Sequence, residues 1–320
     1  MTTTGTRNIV VAINPEACFG KSRTVGPQVI AELRAAGHEV VALIEPDYAH
    51  LVASVEAAIV STPDALVVVG GDGMVGLAAN ALAGRDIPLG IIPSGSGNDM
   101  ARGLGIPLRD PAAAIAVLLE AMRRPPRVVD TATVTRADGT RTRFAGVLSA
   151  GFDAIVNERA NRMRWPRGRS RYNLALVLEL AVLKPIRYRL VLDGVETVTE
   201  ALLVAAANNT SFGGGMLITP DARLDDGLLD VFVVKPMSRL AFLRIFPRVF
   251  KGTHVTDPRV SIRRASRIRI EAEGVAAYAD GERVSPLPVD IETVPGALRV
   301  LAPTTKPRRL VSPAEVWHTR

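Results

Sequence analysis

The stretch VVVGGDGMVGLAANAL, residues 67–82, combines an apolar run, a glycine-rich turn and a helix-like segment. A second stretch of the same kind, IIPSGSGNDMARGLG, follows at residues 91–105. Each has an Asp among its glycines. Neither ends in the Gly-Lys-Ser/Thr of a Walker A loop, and neither matches the GxGxxG dinucleotide pattern. Two glycine-rich loops that each contain an Asp therefore decide the predicted fold and chemistry of the chain.

Strand-like and helix-like segments alternate on both sides of the first loop. The strand candidates NIVVAIN, EVVALI, ALVVVG and IPLGIIP are almost entirely apolar, and segments with helical spacing separate them. This alternation predicts a parallel sheet with helices on both faces. Both loops follow the carboxyl ends of strands, where doubly wound folds bind ligands. We predict an α/β fold whose first domain, residues 1–130, is doubly wound.

The pattern changes after Asp130. Short strands then follow at hairpin spacing, for example around Asp193-Gly194. Regular short strands with few helices predict a β-rich sandwich domain over residues 131–300. Its helix candidates are residues 172–182 and 240–249. Residues 301–320 form a proline-rich tail that could pack back on the first domain.

Composition and charge narrow the class of protein. Of the 320 residues, 48% are hydrophobic and 22% are charged, which is typical of a globular protein of two domains. The single cysteine, Cys18, fits a reducing compartment. The net charge of +7 suggests an acidic partner such as nucleic acid, anionic lipid or nucleotide phosphate. Without a nucleic-acid module, a signal peptide or an apolar run of about 20 residues, we expect a cytoplasmic protein that binds no nucleic acid.

The first loop is a candidate phosphate-binding site. Its glycines let the backbone turn sharply, and the helix that follows offers unpaired N–H groups and a positive dipole end. Asp72 would repel phosphate unless it acts through Mg²⁺ or water, or accepts a proton from an attacking hydroxyl. The loop therefore points to phosphoryl transfer. The alternative is a plain βα turn with an N-capping Asp.

The second loop strengthens the functional interpretation. Ser96 could donate a hydrogen bond to a phosphate, and Asn98 and Asp99 lie in the capping region of the next helix. Asp99 could join Asp72 around a metal ion. Two such loops on successive βα units would form one crevice.

These loops resemble the catalytic domain of the diacylglycerol kinase/sphingosine kinase superfamily, in particular its soluble bacterial lipid kinases. The likeness continues through NPEACFGK, SAGFDAIVN, NNTSFGGGMLITPDARLDDGLLDVFVV, KGTHVTDPRV and YADGERV, and it spans residues 9–303. It implies an ATP-binding α/β domain, a lipid-binding β-rich domain and an active site between them. The implied reaction is Mg²⁺-dependent transfer of the γ-phosphate of ATP to the hydroxyl of diacylglycerol or a similar lipid.

The resemblance also implies roles for individual residues. Glu282, in the DGE segment, matches the family's catalytic base, and Asp72 is a rival for that role. On its own, DGE would be a hairpin turn with an exposed Glu. The implied Mg²⁺–water network includes Asp72, Asp99 and Asp130. The implied ATP contacts are Asn14, Pro15, Gly70, Gly71, Asp72, Gly73, Met74, Val75, Gly76, Ser96 and Asn98.

The segment RLDDGLLD resembles the family's structural Mg²⁺ loop. The implied ligands are the Arg223 carbonyl, the Asp226 carboxylate and the Leu228 carbonyl, and the alternative is an Asx-type turn without metal. Two positions of the first loop depart from the family pattern, with Met74 in place of Thr and Gly76 in place of a polar residue. These changes would lower ATP affinity or alter the choice of nucleotide.

A lipid kinase without a membrane anchor has to reach its substrate at a bilayer. Two segments mix arginines with apolar residues as an anionic interface requires: NRMRWPRGRSRYNLALVLELAVL at 161–183 and SRLAFLRIFPRVFKGTH at 238–254. The alternative is that their apolar residues are core and their arginines a solvated face. We expect transient association with the inner face of the membrane, and the resemblance suggests a homodimer. The competing functions are an NAD kinase-like enzyme and a catalytically weak regulatory protein that binds nucleotide or lipid.

Overall fold

The computed structural model describes residues 5–14, 24–151, 156, 159, 163, 179 and 184–304. Its first part has the predicted alternation of strands and helices. The parallel strands are β1 (Asn8–Ile13), β2 (Glu39–Ile44), β3 (Ala65–Gly70) and β4 (Leu89–Pro93). The helices between and after them are α1 (Val25–Ala35), α2 (Tyr48–Ala58), α3 (Asp72–Ala81) and α4 (Asp99–Leu104).

The strand order β2–β1–β3–β4 is parallel throughout, which confirms the predicted α/β fold. β3 and β4 are buried along their whole length because helices cover both faces. β2 is the edge strand, and its Val41 and Ile44 are 56% and 63% exposed. The apolar sequence of β2 therefore predicted a more buried strand than the structure shows.

One helix of this part was not predicted. α5 spans Pro111–Ala121, and its Ile115, Leu118 and Ala121 are buried. Asp110 caps it by accepting the Ala113 N–H at 3.0 Å, and proline occupies the first helical position. This Asp-Pro pair is the start signal from which the helix could have been recognised.

The sheet continues into the second half of the chain. Its antiparallel strands are β5 (Arg127–Thr135), β6 (Arg141–Phe144), β8 (Ile186–Leu192), β9 (Val195–Ala201), β13 (Arg267–Glu271) and β16 (Val289–Leu301). β16 pairs with β4 in parallel at Val300 and Leu301, and with β5 and β13 in antiparallel fashion. The described strands therefore form one ten-stranded sheet that runs through both halves.

A second sheet of six described strands packs on the antiparallel part. Its strands are β7 (Val147–Gly151), β10 (Leu203–Ala207), β11 (Leu229–Val234), β12 (Val260–Ala265), β14 (Ala276–Ala279) and β15 (Glu282–Pro286). They are ordered β12–β11–β10–β7–β14–β15. Phe144, Tyr188 and Ile268 of one sheet share a core with Leu148 and Val231 of the other. This packing confirms the predicted β sandwich.

The helix predicted over residues 240–249 is shorter. α6 spans Arg239–Ile245, and 3₁₀ turns follow over Phe246–Lys251. Pro247 lacks the N–H that an α-helix would need there. Of the helix predicted at 172–182, only Glu179 is among the described residues, most of the tail lies outside them, and the domain boundaries at 130 and 300 stay predictions. Among the described helices, none is long and apolar enough to span a membrane.

Candidate active site

The two glycine loops lie side by side at the carboxyl ends of β3 and β4. The Ser94 N–H donates to the Gly70 carbonyl at 2.9 Å, and α3 begins immediately after Gly71. Gly71 and Gly95 touch through their backbones, since a Cβ built on Gly95 would lie 2.4 Å from the Gly71 Cα. The loops therefore form one crevice, whose closeness depends on glycine.

Gly95→Ala is expected to lower the free energy of unfolding by about 1–3 kcal/mol, because its methyl group must push two backbones apart. Gly73→Ala is the matched control, since its new Cβ would meet Glu282 Oε1 at 3.7 Å, an ordinary contact distance. Thermal unfolding followed by circular dichroism compares the two variants with the wild type. A Gly95→Ala protein with wild-type Tm would contradict the close approach.

Asp72 and Asp99 bring carboxylate oxygens to the same point beside Gly97. A Cβ on Gly97 would lie 2.7 Å from Asp72 Oδ2 and 3.3 Å from Asp99 Oδ2. Asp72 Oδ1 accepts the Met100 N–H at 3.0 Å, and Asp99 forms an ion pair with Arg102. The acid pair is thus held in place by α4, with one oxygen of each side chain directed at a shared space.

A three-glycine turn of the second half reaches the same acid pair. Residues 213–215 have φ values of 64°, 85° and 107°, a conformation that favours glycine. The turn brings the Gly214 N–H to Asp99 Oδ2 at 2.7 Å, and Asn209 Nδ2 donates to the Asp99 carbonyl at 2.8 Å. Asp99 is therefore a point where the two halves of the protein meet.

The space beside Gly97 fits a hard cation, which prefers carboxylate oxygens. Burial raises the pKa of Asp72, and the charge of Asp99 adds to the shift, while the Met100 N–H opposes it. A cation between the two carboxylates would relieve their repulsion. Within the described ranges, no group of three or more Asp, Glu, His or Cys side chains is placed to hold a metal ion. Phosphate oxygens and water would supply further ligands to such a cation.

Asp280 anchors the hairpin that carries Glu282. Asp280 and Gly281, with φ of 49° and 90°, form the two-residue turn between β14 and β15. The Asp280 carboxylate accepts three backbone N–H groups, those of residues 145–147, at 2.8, 3.0 and 3.1 Å. Burial, with a contribution from the charge of Asp72, raises the pKa of Asp280 to about 6, against these N–H bonds.

Glu282 lies at the rim of a cavity of about 240 Å³ between the two halves. Its Oε1 is 3.7 Å from the Cβ position of Gly73, so the carboxylate faces the first turn of α3. The Tyr48 hydroxyl donates to the Gly73 carbonyl at 3.4 Å, and burial together with the charge of Glu282 raises the pKa of Tyr48 to about 12. The cavity wall also carries three arginines: Arg136, Arg143 and Arg283.

The residues predicted to contact nucleotide differ in what they present to the crevice. Asn14 follows β1, and its Cβ is 3.3 Å from the Cβ position of Gly70. Ser96 is exposed in the second loop. Met74 and Val75 are only 1% and 2% exposed because their side chains join the core. Any contact of these two residues with a nucleotide would therefore come from their backbone.

Asn98 and Gly76 shape the crevice. Asn98, with φ of 54°, accepts the Gly95 N–H through Oδ1 at 3.0 Å and donates to the Gly95 carbonyl at 2.8 Å. Gly76 leaves room for the hairpin, because its Cβ position is 3.7 Å from Asp280 Oδ2. A methyl group at position 76 would lie at an ordinary contact distance from this carboxylate, and a longer side chain would reach it. Pro15 lies outside the described residues.

Asp130 belongs to a different set of hydrogen bonds. Its two oxygens accept the N–H groups of Gly227 and Gly296, each at 2.7 Å, and its side chain is buried. These bonds hold β5 against the loop before β11 and against the irregularity in β16 between Val294 and Leu298. These contacts give Asp130 a structural role, and its place in a Mg²⁺–water network stays a prediction.

The predicted structural magnesium loop has the contacts of a turn. Asp226 Oδ1 accepts the Leu228 N–H at 3.2 Å, and Asp226 Oδ2 lies 4.0 Å from Arg264 Nη1. Arg223 pairs with Asp225 at 3.5 Å. These contacts match the Asx-type alternative, and Mg²⁺ at this loop stays a prediction.

Nothing in the sequence pointed to Asn80 as a link between the halves. Its Nδ2 donates to the carbonyls of Gly76 and Arg143, and its Oδ1 accepts the Arg143 N–H, all at 2.8 Å. Asn80, Asp280 and Gly214 each lie in a stretch quoted for the resemblance. Their partners are far away in sequence, so no local signal could have assigned these contacts.

Two family profiles match the chain: the diacylglycerol kinase catalytic domain at residues 8–134 and the YegS C-terminal NAD kinase beta sandwich-like domain at 146–302. A diacylglycerol kinase of Mycobacterium tuberculosis is 43% identical over 299 residues, covering 92% of this chain and 95% of that protein. One of Bacillus subtilis is 27% identical over 251 residues, covering 77% and 80%. A crystal structure of a diacylglycerol kinase from Bacillus anthracis matches the fold with a TM-score of 0.68 at 22% identity, over 94% of this chain and 98% of that one.

The α/β half, the β sandwich and these matches define a two-domain kinase. The chain belongs to the diacylglycerol kinase family of lipid kinases. The resemblance drawn from the glycine loops is thereby confirmed.

Proposed function

We propose that this kinase transfers the γ-phosphate of ATP to a hydroxyl group of diacylglycerol or a similar lipid, in the cleft between its halves. The observation that carries the proposal is the meeting of two acidic elements at one helix N-terminus. Asp72 and Asp99 lie on the glycine loops, and the hairpin of Glu282 faces them across Gly73. Phosphoryl transfer requires a phosphate-binding site, neutralisation of the phosphate charge and an acceptor for the hydroxyl proton.

Each element has a role in that reaction. The first turn of α3 would donate N–H groups to phosphate oxygens. Glu282 would take the proton of the lipid hydroxyl. The hydroxyl oxygen would then bond to the γ-phosphorus while the bond from that phosphorus to the leaving oxygen of ADP breaks. Asp72 and Asp99 would hold Mg²⁺, which neutralises phosphate charge when bound.

Diacylglycerol is the first acceptor to test because the relatives from M. tuberculosis and B. subtilis are named diacylglycerol kinases. The lipid is dissolved in a bilayer, so we propose a cytoplasmic enzyme that contacts the inner face of the membrane. An NAD kinase-like activity would leave the DGE hairpin without a role. A regulatory binder would have no need for the carboxylates that the cleft retains.

The decisive experiment offers labelled ATP and Mg²⁺ to the purified protein with mixed micelles of diacylglycerol, sphingosine, ceramide, phosphatidylinositol or no lipid, and with NAD in a separate tube. Label in diacylglycerol or another of these lipids supports the proposal and identifies the acceptor class. Label in NAD would overturn it. Binding of ATP without transfer to any acceptor would instead favour a regulatory protein.

A further inference from the structure

An apolar stripe lies on the outside of the second half. It consists of Leu240, Leu243, Pro247 and Phe250, at spacings of three or four residues that place them along one face of α6 and the 3₁₀ turns. Leu240 is 80% exposed, and Leu243 and Phe250 are 52% and 51% exposed. Exposure of grouped large apolar side chains to water is energetically unfavourable, so such a group indicates a binding surface.

The segment that carries the stripe is firmly packed on its other face. Val249 is buried in a cluster with Phe232, and Ile245 is buried as well. Phe246 stacks on Phe242 at 5.7 Å and contacts Phe250 edge-on at 6.0 Å. The inner residues of this segment are therefore core, as one of the two sequence-based interpretations expects, and the outer ones are exposed.

The segment that carries the stripe is basic. Between residues 235 and 256 the chain has five lysine and arginine residues and no Asp or Glu. Arg239, Arg244 and Lys251 are exposed next to the stripe. An anionic surface complements this charge, whereas a two-fold dimer through the same face would bring like charges together. Apolar side chains flanked by cations are the composition of an interfacial membrane anchor.

The stripe is connected to the acid pair by a short path. The Leu217 N–H donates to the Val249 carbonyl at 2.9 Å, so the 3₁₀ turns pack directly on the segment that follows the glycine turn at 213–215. That turn delivers the Gly214 N–H to Asp99. Docking of the stripe on a surface would therefore also fix the part of the second half that contacts Asp99 in the cleft.

We propose that this stripe, with Arg239, Arg244 and Lys251, docks on an anionic lipid bilayer and keeps the cleft at the surface where a lipid acceptor is found. The purpose of the docking rests on the proposed function. The docking itself requires neither ATP nor catalysis, so the two can be tested apart.

The test is sedimentation of the full-length protein with vesicles of phosphatidylcholine alone or mixed equally with phosphatidylglycerol. Leu240→Glu/Leu243→Glu is expected to lower partitioning onto the anionic vesicles by at least about tenfold, since two apolar anchors are lost and two charges of the wrong sign are added. Val195→Glu/Val198→Glu, on β9, is the matched control, because these valines are 65% and 50% exposed and the charge change is the same. The control is expected to bind within about twofold of wild type.

Activity measurements separate docking from function. Transfer to long-chain diacylglycerol in anionic vesicles should fall in the leucine variant, while transfer to a water-soluble short-chain diacylglycerol should not. If no protein transfers phosphate, the proposed function fails and the vesicle data still decide the docking. Equal binding of both double variants and wild type would overturn the docking surface. A dimer that the leucine variant loses, with vesicle binding retained, would assign the stripe to self-association and also overturn it.

Discussion

Glu282→Gln is expected to reduce kcat for phosphoryl transfer by about 100- to 10,000-fold, because an amide cannot take the proton of the attacking hydroxyl. Glutamine keeps the size of the side chain, and Glu282 is exposed at the cavity rim, so folding should be unchanged. The KM for ATP should change little, since the proton transfer occurs only in the transition state. Steady-state assays with labelled ATP and the accepted lipid measure both constants.

The control for this variant is Glu200→Gln, which removes the same charge from an exposed position on β9. It should keep wild-type kcat, because Glu200 does not line the cavity. Unchanged activity in Glu282→Gln would remove Glu282 from the reaction. Equal losses in both variants would point to a general effect of charge.

Asp72 is the rival base, and the pH dependence of kcat separates the two. Asp72→Asn should also lower activity, because Asp72 and Asp99 share the space that fits a cation. If Glu282 is the base, the residual activity of Glu282→Gln should lose the acid limb of the pH–rate profile, and Asp72→Asn should retain it. The reverse pattern would assign the base to Asp72.

Local signals were sufficient for the first half of the fold. Apolar strands, helical spacing and two glycine turns predicted the succession of β1 to β4 along the chain and their parallel direction, because each signal lies within one βα unit. The missed α5 shows the limit of this approach. Its apolar run has little amphipathic contrast, and only the Asp110-Pro111 cap marks its start.

Contacts between distant segments could not be predicted in the same way. The Asp-Gly turn before Glu282 was visible, but the Asp280 carboxylate binds the Ala145 N–H, which lies 135 positions away. Asp130 was assigned to the acid network through the resemblance, but no local signal could show that its oxygens accept the N–H groups of Gly227 and Gly296. A sequence motif identifies the residue type a site needs, whereas the partner of each carboxylate depends on tertiary packing.

Asp280→Asn is expected to lower kcat by about ten- to a hundredfold, because the turn that it anchors sets the position of Glu282 and a displacement of about 1 Å can cost that much. Asparagine tolerates the left-handed conformation of this position, so the substitution isolates the carboxylate. Its amide keeps one acceptor oxygen but turns an NH2 donor toward at least one of the backbone N–H groups of residues 145–147. The KM for ATP and the kcat of the lipid reaction report whether Glu282 has moved.

The chain contains a second turn of the same kind, which serves as the control. Asp193 and Gly194 have φ of 48° and 87°, and the Asp193 carboxylate accepts the N–H groups of Ser266 and Arg267. This turn is exposed. It is distant from the residues that line the Glu282 cavity, both along the sequence and in its position in the sheet. Asp193→Asn should keep wild-type kcat. A similar loss of activity in both variants would show that turn stability, and not the position of Glu282, explains the effect.

The two turns should also differ in the sign of their pH dependence. Burial raises the pKa of Asp280 from its ordinary 3.8 to about 6, so the folded protein binds a proton that the unfolded chain releases, and the free energy of unfolding falls as pH rises through that window. The Arg267 N–H lowers the pKa of Asp193, so its contribution is present at higher pH and is lost as pH falls. Denaturant unfolding of both Asn variants and the wild type between about pH 3 and pH 7 should give difference curves of opposite slope. Parallel curves would mean that the N–H bonds from residues 145–147 outweigh burial and keep Asp280 ionised in the fold, so the raised pKa would be wrong.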